Sequence, residues 1–282
     1  MRKLCLGICV CAVSACIGAP LIAQYPVFNE RLARVRYMPE DPFIKVLILK
    51  DQDGLMVEVK GPHNIYDPFS GKKLDAAFMG SSYPMNPTGD GLKWGQEFPG
   101  IFQVLIVPDD QNSGVVINGN MYQGVVAFYQ VNNRLAAVNW LSLDDFTSAL
   151  LSTNFLPRDL DQKEAIAAYA IALRTKAFQQ LKAHEGTYWD VQADDCGYRG
   201  RSAIRTDIPF NDAIKGTKRL VMTGFQQSPV AVGRLDKRCI DNLCRQMPIA
   251  DVQAMAKEGK DARVIIGKFF PDQVLNLLET KR

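Results

Sequence analysis

Runs of lysine or arginine are missing from this 282-residue chain, whose 33 basic and 30 acidic residues are interspersed and leave a formal charge of +3. That spread implies neither nucleic acid nor an anionic surface as a partner. Internal repeats and low-complexity tracts are also absent, so neither a repeat array nor a compositionally biased segment is indicated. Cysteine is scarce in the part that folds: Cys5, Cys9, Cys11 and Cys16 lie in the first 23 residues, leaving Cys196, Cys239 and Cys244. An odd count excludes a fully paired disulfide framework. In an oxidising compartment Cys239 and Cys244 could pair across four residues with Cys196 free; distant pairings and plain buried thiols stay open. What is present, 47% hydrophobic and 22% charged residues, suffices for one large domain or two small ones.

Arg2-Lys3 followed by an apolar run from Leu4 to Ile22 reads as an export leader. Pro20 and the many small residues suit a cleaved signal better than a permanent span. Within it Val13-Ser14-Ala15-Cys16 resembles a bacterial lipobox, in which Cys16 would carry lipid and hold the protein on a membrane. The other reading is plain cleavage near Ala19 or Ala23. Either way the expected location is the periplasm or cell envelope.

The boundaries expected are a signal peptide over 1–23, a linker over 24–43 broken at Pro26, Pro39 and Pro42, a β-rich part over 44–117 and a core over 118–282. Strands are expected at 44–50, 55–60 and 102–107, with an irregular insert over 76–99 where glycine and proline crowd. Asn118-Gly119 is a hairpin turn, since two successive positive φ values are least costly for Asn and Gly, and a strand should follow over 121–130. Asn132-Asn133 marks a second turn, before a strand over 135–140.

Residues 164–178, EAIAAYAIALRTKAF, predict a buried helix whose small alanines let neighbouring backbones pack close. Asp161 and Glu164 have the spacing of a capping-box variant at its start. The fold class expected is α+β, mainly antiparallel strands and hairpins around this helix.

Four stretches in order, Tyr122-Gln123-Gly124, Val138 to Phe146 (VNWLSLDDF), Leu150 to Phe155 (LLSTNF) and Glu164 to Ala177, match the patterns "YxG", "VN-x-L-x-LEdY", "vv-x-x-E-m" and "EALKAQAvAARTyA". In these the chain resembles the SpoIID/LytB family, the stage II sporulation protein D proteins that act on peptidoglycan. Two residues more than the family pattern separate Asn154 from Glu164. The likeness covers about residues 120–282, weakly from 44, and fades at loops.

The resemblance implies a lytic transglycosylase, which cleaves denuded glycan strands without water, and a Glu where this chain has Asn154. That chemistry needs a carboxylic acid to protonate the departing oxygen; an amide cannot supply the proton. Asp144, Asp145, Asp159 and Glu185 are the carboxylates that could replace it, with helix N-terminal charge as the plain reading of the first two. Asn154, Arg174, Asp144, Asp145 and Tyr198 are the substrate-binding residues the resemblance implies, and for Arg174 an ion pair with Asp144 or Asp145 is the structural reading. Some members hold zinc in the loop that corresponds to residues 184–200. Here only His184 and Cys196 could stand as ligands, with Gln192 in place of the first Cys, and two ligands do not hold structural zinc. His184 then reads as a helix C-terminal charge. Residues 218–223 and 226–232 resemble the family's next hairpin, 242–246 its glycine loop without the Gly-His-Gly part, and 247–270 its closing segment.

No cofactor or metal is expected. The function implied is binding or remodelling of denuded glycan strands, with a cell-wall amidase as a protein partner. Two alternatives are an active lytic transglycosylase using another carboxylate and a structural envelope lipoprotein.

Overall fold

The computed structural model describes residues 42–110, 112–183, 187–201, 204–224 and 234–279. The leader, Cys16, His184 and Glu185 lie outside these residues. No described helix is long and apolar enough to cross a membrane.

The first half of the described chain is all strand: β1 (Phe43–Gln52), β2 (Leu55–Lys60), β3 (His63–Tyr66), β4 (Lys73–Ala77), β5 (Ser81–Thr88) and β6 (Gly91–Trp94). It continues with β7 (Gln96–Pro99), β8 (Gln103–Pro108), β9 (Gly114–Ile117), β10 (Asn120–Tyr122), β11 (Val125–Val131) and β12 (Arg134–Ser142). Two helices follow, α1 (Leu143–Asn154) and α2 (Lys163–Ala183), then β13 (Val191–Gln192), α3 (Ala193–Cys196), α4 (Ile208–Gly216) and β14 (Leu220–Gly224). The chain closes with α5 (Lys237–Gln246), α6 (Ile249–Lys257), α7 (Ala262–Phe269) and β15 (Gln273–Leu277).

A seven-stranded sheet runs β13-β1-β12-β11-β8-β3-β4, a six-stranded sheet runs β10-β9-β2-β5-β6-β7, and β14 pairs with β15. Every pair is antiparallel except β1 with β13. The fold is therefore α+β with mainly antiparallel sheets. Strands from both sides of residue 117 build the larger sheet, so β11 and β12 lie between β1 and β8.

Both sequence-predicted turns form. Asn118 and Gly119 have φ of 49° and 77°, and Asn132 and Asn133 of 51° and 58°, the left-handed pairs that a two-residue hairpin requires. The expected strand over 121–130 is broken at Gly124, φ 76°, where an added Cβ would meet the Trp140 carbonyl at 2.5 Å. That break sends β10 and β11 to different sheets. The insert over 76–99 is not irregular: it forms β5, β6 and β7, which bury Met85, Leu92, Trp94 and Phe98. Trp94 Nε1 donates to the carbonyls of Val57 and Tyr83 at 3.2 and 3.1 Å, fastening these strands to β2 and β5.

Alanines 165, 167, 168, 170, 172 and 177 of α2 are all buried. Helices α1, α4, α6 and α7 and strand β14 pack around this helix, which at 21 residues is about 30 Å long. Asp161 and Glu164 do not form the predicted box. Asp161 Oδ1 accepts from Gln253 Nε2 at 2.6 Å, and Glu164 Oε2 accepts from the Ala262 amide at 2.9 Å, at the start of α7. In the described part of the expected hairpin over 218–232, β14 takes β15 as its partner. Residues 242–246 belong to α5, capped by Asp236 accepting from the Cys239 amide at 2.9 Å, and are not a loop.

An added side chain at α2's buried surface has nowhere to go. Ala170→Leu is expected to cost about 1–3 kcal/mol through overpacking, whereas Ala183→Leu at the exposed end should change stability by less than about 0.5 kcal/mol. Denaturant midpoints of the two variants check this.

Candidate functional site

Helix α1 organises the residues singled out by the sequence. Ser142 caps its start, accepting from the Asp145 amide at 3.0 Å and donating its hydroxyl to Asp145 Oδ2 at 2.6 Å. Asp145 is thus an exposed capping carboxylate. Asp144 turns inward to Arg174 of α2, whose Nε lies 2.7 Å from Asp144 Oδ1. The Nε–H is not aligned with that contact, which is a charge pair more than a hydrogen bond. Arg174 Nη1 donates to the Leu220 carbonyl at 3.0 Å, and the Arg219 amide lies 3.3 Å from Asp144 Oδ1. Arg174 has no exposed surface. Desolvation pushes its guanidinium below the ordinary pKa while the Asp144 carboxylate opposes the shift.

Asn154 ends the same helix, ten residues beyond Asp144 and so about 15 Å along the axis. Its Nδ2 donates to the carbonyls of Leu150 at 2.9 Å and Cys196 at 3.2 Å. The second bond ties α1 to the end of α3, where Gly197, φ 77°, turns the chain. Cys196 is buried, its Sγ donating to the Gln192 carbonyl at 3.3 Å, and burial pushes the thiol up to about 12. It is a free thiol, as are Cys239 and Cys244, so the suggested pairing of those two does not form. No cluster of three or more metal-ligating side chains occurs among the described residues.

Tyr198 lies in the core, not on a surface. Only 1% of it is exposed; its hydroxyl donates to Asn139 Oδ1 at 2.5 Å, and its ring meets Tyr122 and Phe146. Burial raises its pKa well above the usual phenol value. Asn139 Nδ2 in turn donates to the carbonyls of Gln123 and Val125 at 2.8 and 3.0 Å. The Val138-Asn139 motif contained this residue, but its role as a clamp across the Gly124 break depends on partners the motif does not show.

The structure thus separates the sequence-predicted residues into three places. Arg174 joins Asp144 at one end of α1, Asn154 joins the Cys196–Gly197 turn at the other, and Tyr198 anchors the core. Arg174 and Tyr198 are both buried. Among the carboxylates named as replacement acids, Asp144 and Asp145 are committed at the far end of α1, and Asp159 lies 3.6 Å from Arg158. Asp194 and Asp195 of α3, which the sequence did not single out, pair with Arg199 and Arg234 at 2.8 Å each.

Arg205 and Arg219 also escaped sequence reading. The Arg205 amide donates to Ser152 of α1 at 2.9 Å, while its guanidinium holds Asp207 and the Leu160 carbonyl. The Arg205–Asp207 pair is local, but the contacts of Arg205 to Ser152 and Leu160 and of Arg219 to Asp144 reach across 45 to 75 residues and carry no local signal.

Residues 131–223, which contain α1, α2 and the Asn154 contact, match the family model of the stage II sporulation protein, SpoIID. The chain carries a SpoIID domain. A cell-wall related function goes with it. The chain is 29% identical over 242 residues to an uncharacterized protein of Chlamydia pneumoniae, covering 85% of this chain and 83% of that one. A Chlamydia muridarum protein, also uncharacterized, is 28% identical over 242 residues, covering 85% and 79%. A Brachyspira hyodysenteriae protein is 27% identical over 125 residues, 44% of this chain and 33% of that one. No solved structure matches the chain.

Arg174→Ala is expected to cost about 3–5 kcal/mol, because it leaves Asp144 unpaired, while Arg174→Met combined with Asp144→Leu should recover most of that loss. Equal losses in the single and double variants by chemical denaturation would show that the charge pair is not what holds α1 to α2.

Proposed function

We propose that this SpoIID-domain protein is exported, associates with peptidoglycan, and binds denuded glycan strands without cleaving them at Asn154. The observation that carries the reading is the double donation from Asn154 Nδ2 to the Leu150 and Cys196 carbonyls. An ionised carboxylate accepts only, so it could make neither bond. The position therefore serves as a clamp between α1 and the α3 turn. An amide can hydrogen-bond a sugar hydroxyl but cannot deliver a proton to a departing glycosidic oxygen. A cell-wall amidase, for which the bound strand would be the shared ligand, is the protein partner that fits this reading.

Purified protein should pull down amidase-stripped glycan strands and release no anhydro-muropeptides detectable by mass spectrometry. Asn154→Glu should lower stability by about 1–3 kcal/mol, since a protonated carboxyl donates once and an ionised one not at all. Anhydro products from the unmutated protein would overturn the non-cleaving reading; absence of both binding and products would leave a structural envelope role.

Export rests on the charged start and apolar run of the leader, with lipid attachment at Cys16 as the anchoring route. Intact-mass measurement of protein from the native envelope is expected to show a chain lacking its first residues. A mass beginning at Cys16 with added acyl chains would mark the anchor, and a retained Met1 would contradict export by this leader.

A further inference from the structure

The charges around the Asp144–Arg174 pair do not balance. A pocket where α1 begins against α2 and the lead-in to β14 is lined by Asp144, Arg174, Arg219 and Leu278 among others. Two guanidiniums and one carboxylate give this lining a net charge of +1, from Arg174 and Arg219 against Asp144. Ser142 and Leu143, which also line it, belong to the N-terminal end of the 12-residue α1, whose dipole adds further positive potential.

Both guanidiniums also have donors left over. Arg174, with no exposed surface, gives Nη1 to the Leu220 carbonyl, so the edge it turns toward Asp144 and the pocket is Nε with Nη2. Among the described residues neither of these buried nitrogens has an aligned hydrogen-bond acceptor. Arg219 donates from Nη2 to the Leu278 carbonyl, and its buried Nε likewise has no acceptor among the described residues. Guanidiniums accept no hydrogen bonds, so the two arginines cannot satisfy each other. Buried donors that carry charge call for a negative partner.

We propose that this pocket binds one small monovalent anion, a chloride ion, between the guanidiniums of Arg174 and Arg219. Size, charge and donor type each select it. The interior has room for one occupant of about the size of a water molecule, which admits a single ion and excludes a phosphate or a sugar ring. A single negative charge cancels the excess of +1, which a neutral water would leave in place. Arginine N–H groups supply donors to an anion and no ligands for a cation. The ion ties α2 to the start of β14 and completes the charge pair that holds α1. Added salt screens surface ion pairs and weakens them; here chloride stabilises the fold by binding to it.

The test compares thermal unfolding of the full chain in sodium chloride and in sodium gluconate, at the same ionic strength of about 0.1 M so that screening is equal. Tm is expected to be about 2–5 °C higher in chloride. Arg219→Gln removes one of the two guanidiniums and should reduce that difference to less than about 1 °C, whatever the variant's own stability. Crystals of the unaltered chain grown in bromide should show an anomalous peak between Arg174 and Arg219. Equal Tm values in the two salts would overturn the proposal, with water as the occupant, and a bromide peak beside equal Tm values would mean binding at crystal concentration only. A chloride effect that persists in Arg219→Gln, or the absence of the bromide peak, would overturn it as well. If Arg219→Gln does not fold, the bromide peak and the chloride effect in the unaltered chain still decide.

Discussion

A guanidinium with no exposed surface must be answered from inside the fold, and Arg174 is answered by Asp144 and the Leu220 carbonyl. These partners come from different layers. Asp144 lies in the first turn of α1, which follows the sheet's β12 directly, and Leu220 begins β14, which pairs with β15. One side chain therefore fixes where α1 leaves the sheet and where the chain's last strand is seated. Coulomb attraction alone does not make such a pair favourable, because removing two charges from water costs several kcal/mol per ion. What it supplies is specificity: any packing of α1 on α2 that separates Asp144 from Arg174 leaves a buried charge unanswered.

The alanines of α2 make that arrangement possible. A helix enclosed by neighbours on nearly every side has no solvated stripe, and large side chains around it would hold those neighbours apart. Alanine keeps helix propensity high while letting them approach. Thr175 shows how close they come, its hydroxyl accepting from the Met222 amide of β14 at 2.8 Å. Burial on all sides also explains why Arg174 cannot reach solvent by extending its side chain, as surface arginines do.

How much of this could be read in advance depended on whether the deciding partner was local. Asn118-Gly119 and Asn132-Asn133 were legible because a two-residue hairpin is determined within four residues. The alanine helix was legible because propensity and pattern coincide over fifteen. Residues 76–99 misled because proline and glycine there punctuate three short strands that pair with one another and are tied to the sheet by β5 against β2, Val57 opposite Tyr83. Arg219 was illegible: its backbone adopts φ of 63°, unusual for a side chain of that size, and its amide faces a carboxylate 75 residues away. At the candidate site the motif located Asn154, but not its bond to Cys196, 42 residues on.

The surroundings of Asn154 favour a neutral donor over a charged carboxylate. It lies at the C-terminus of a helix, where the dipole disfavours negative charge, and beside two carbonyl oxygens that do the same. A carboxyl group placed there would be pushed toward its protonated form, which is what a general acid requires and which donates through one O–H. Asparagine is neutral and donates twice, so both carbonyls are satisfied without a proton that must stay bound. Surroundings that disfavour a charged carboxylate in this way suit an amide. The tie between α1 and the α3 turn rests on the second of these donations, to Cys196.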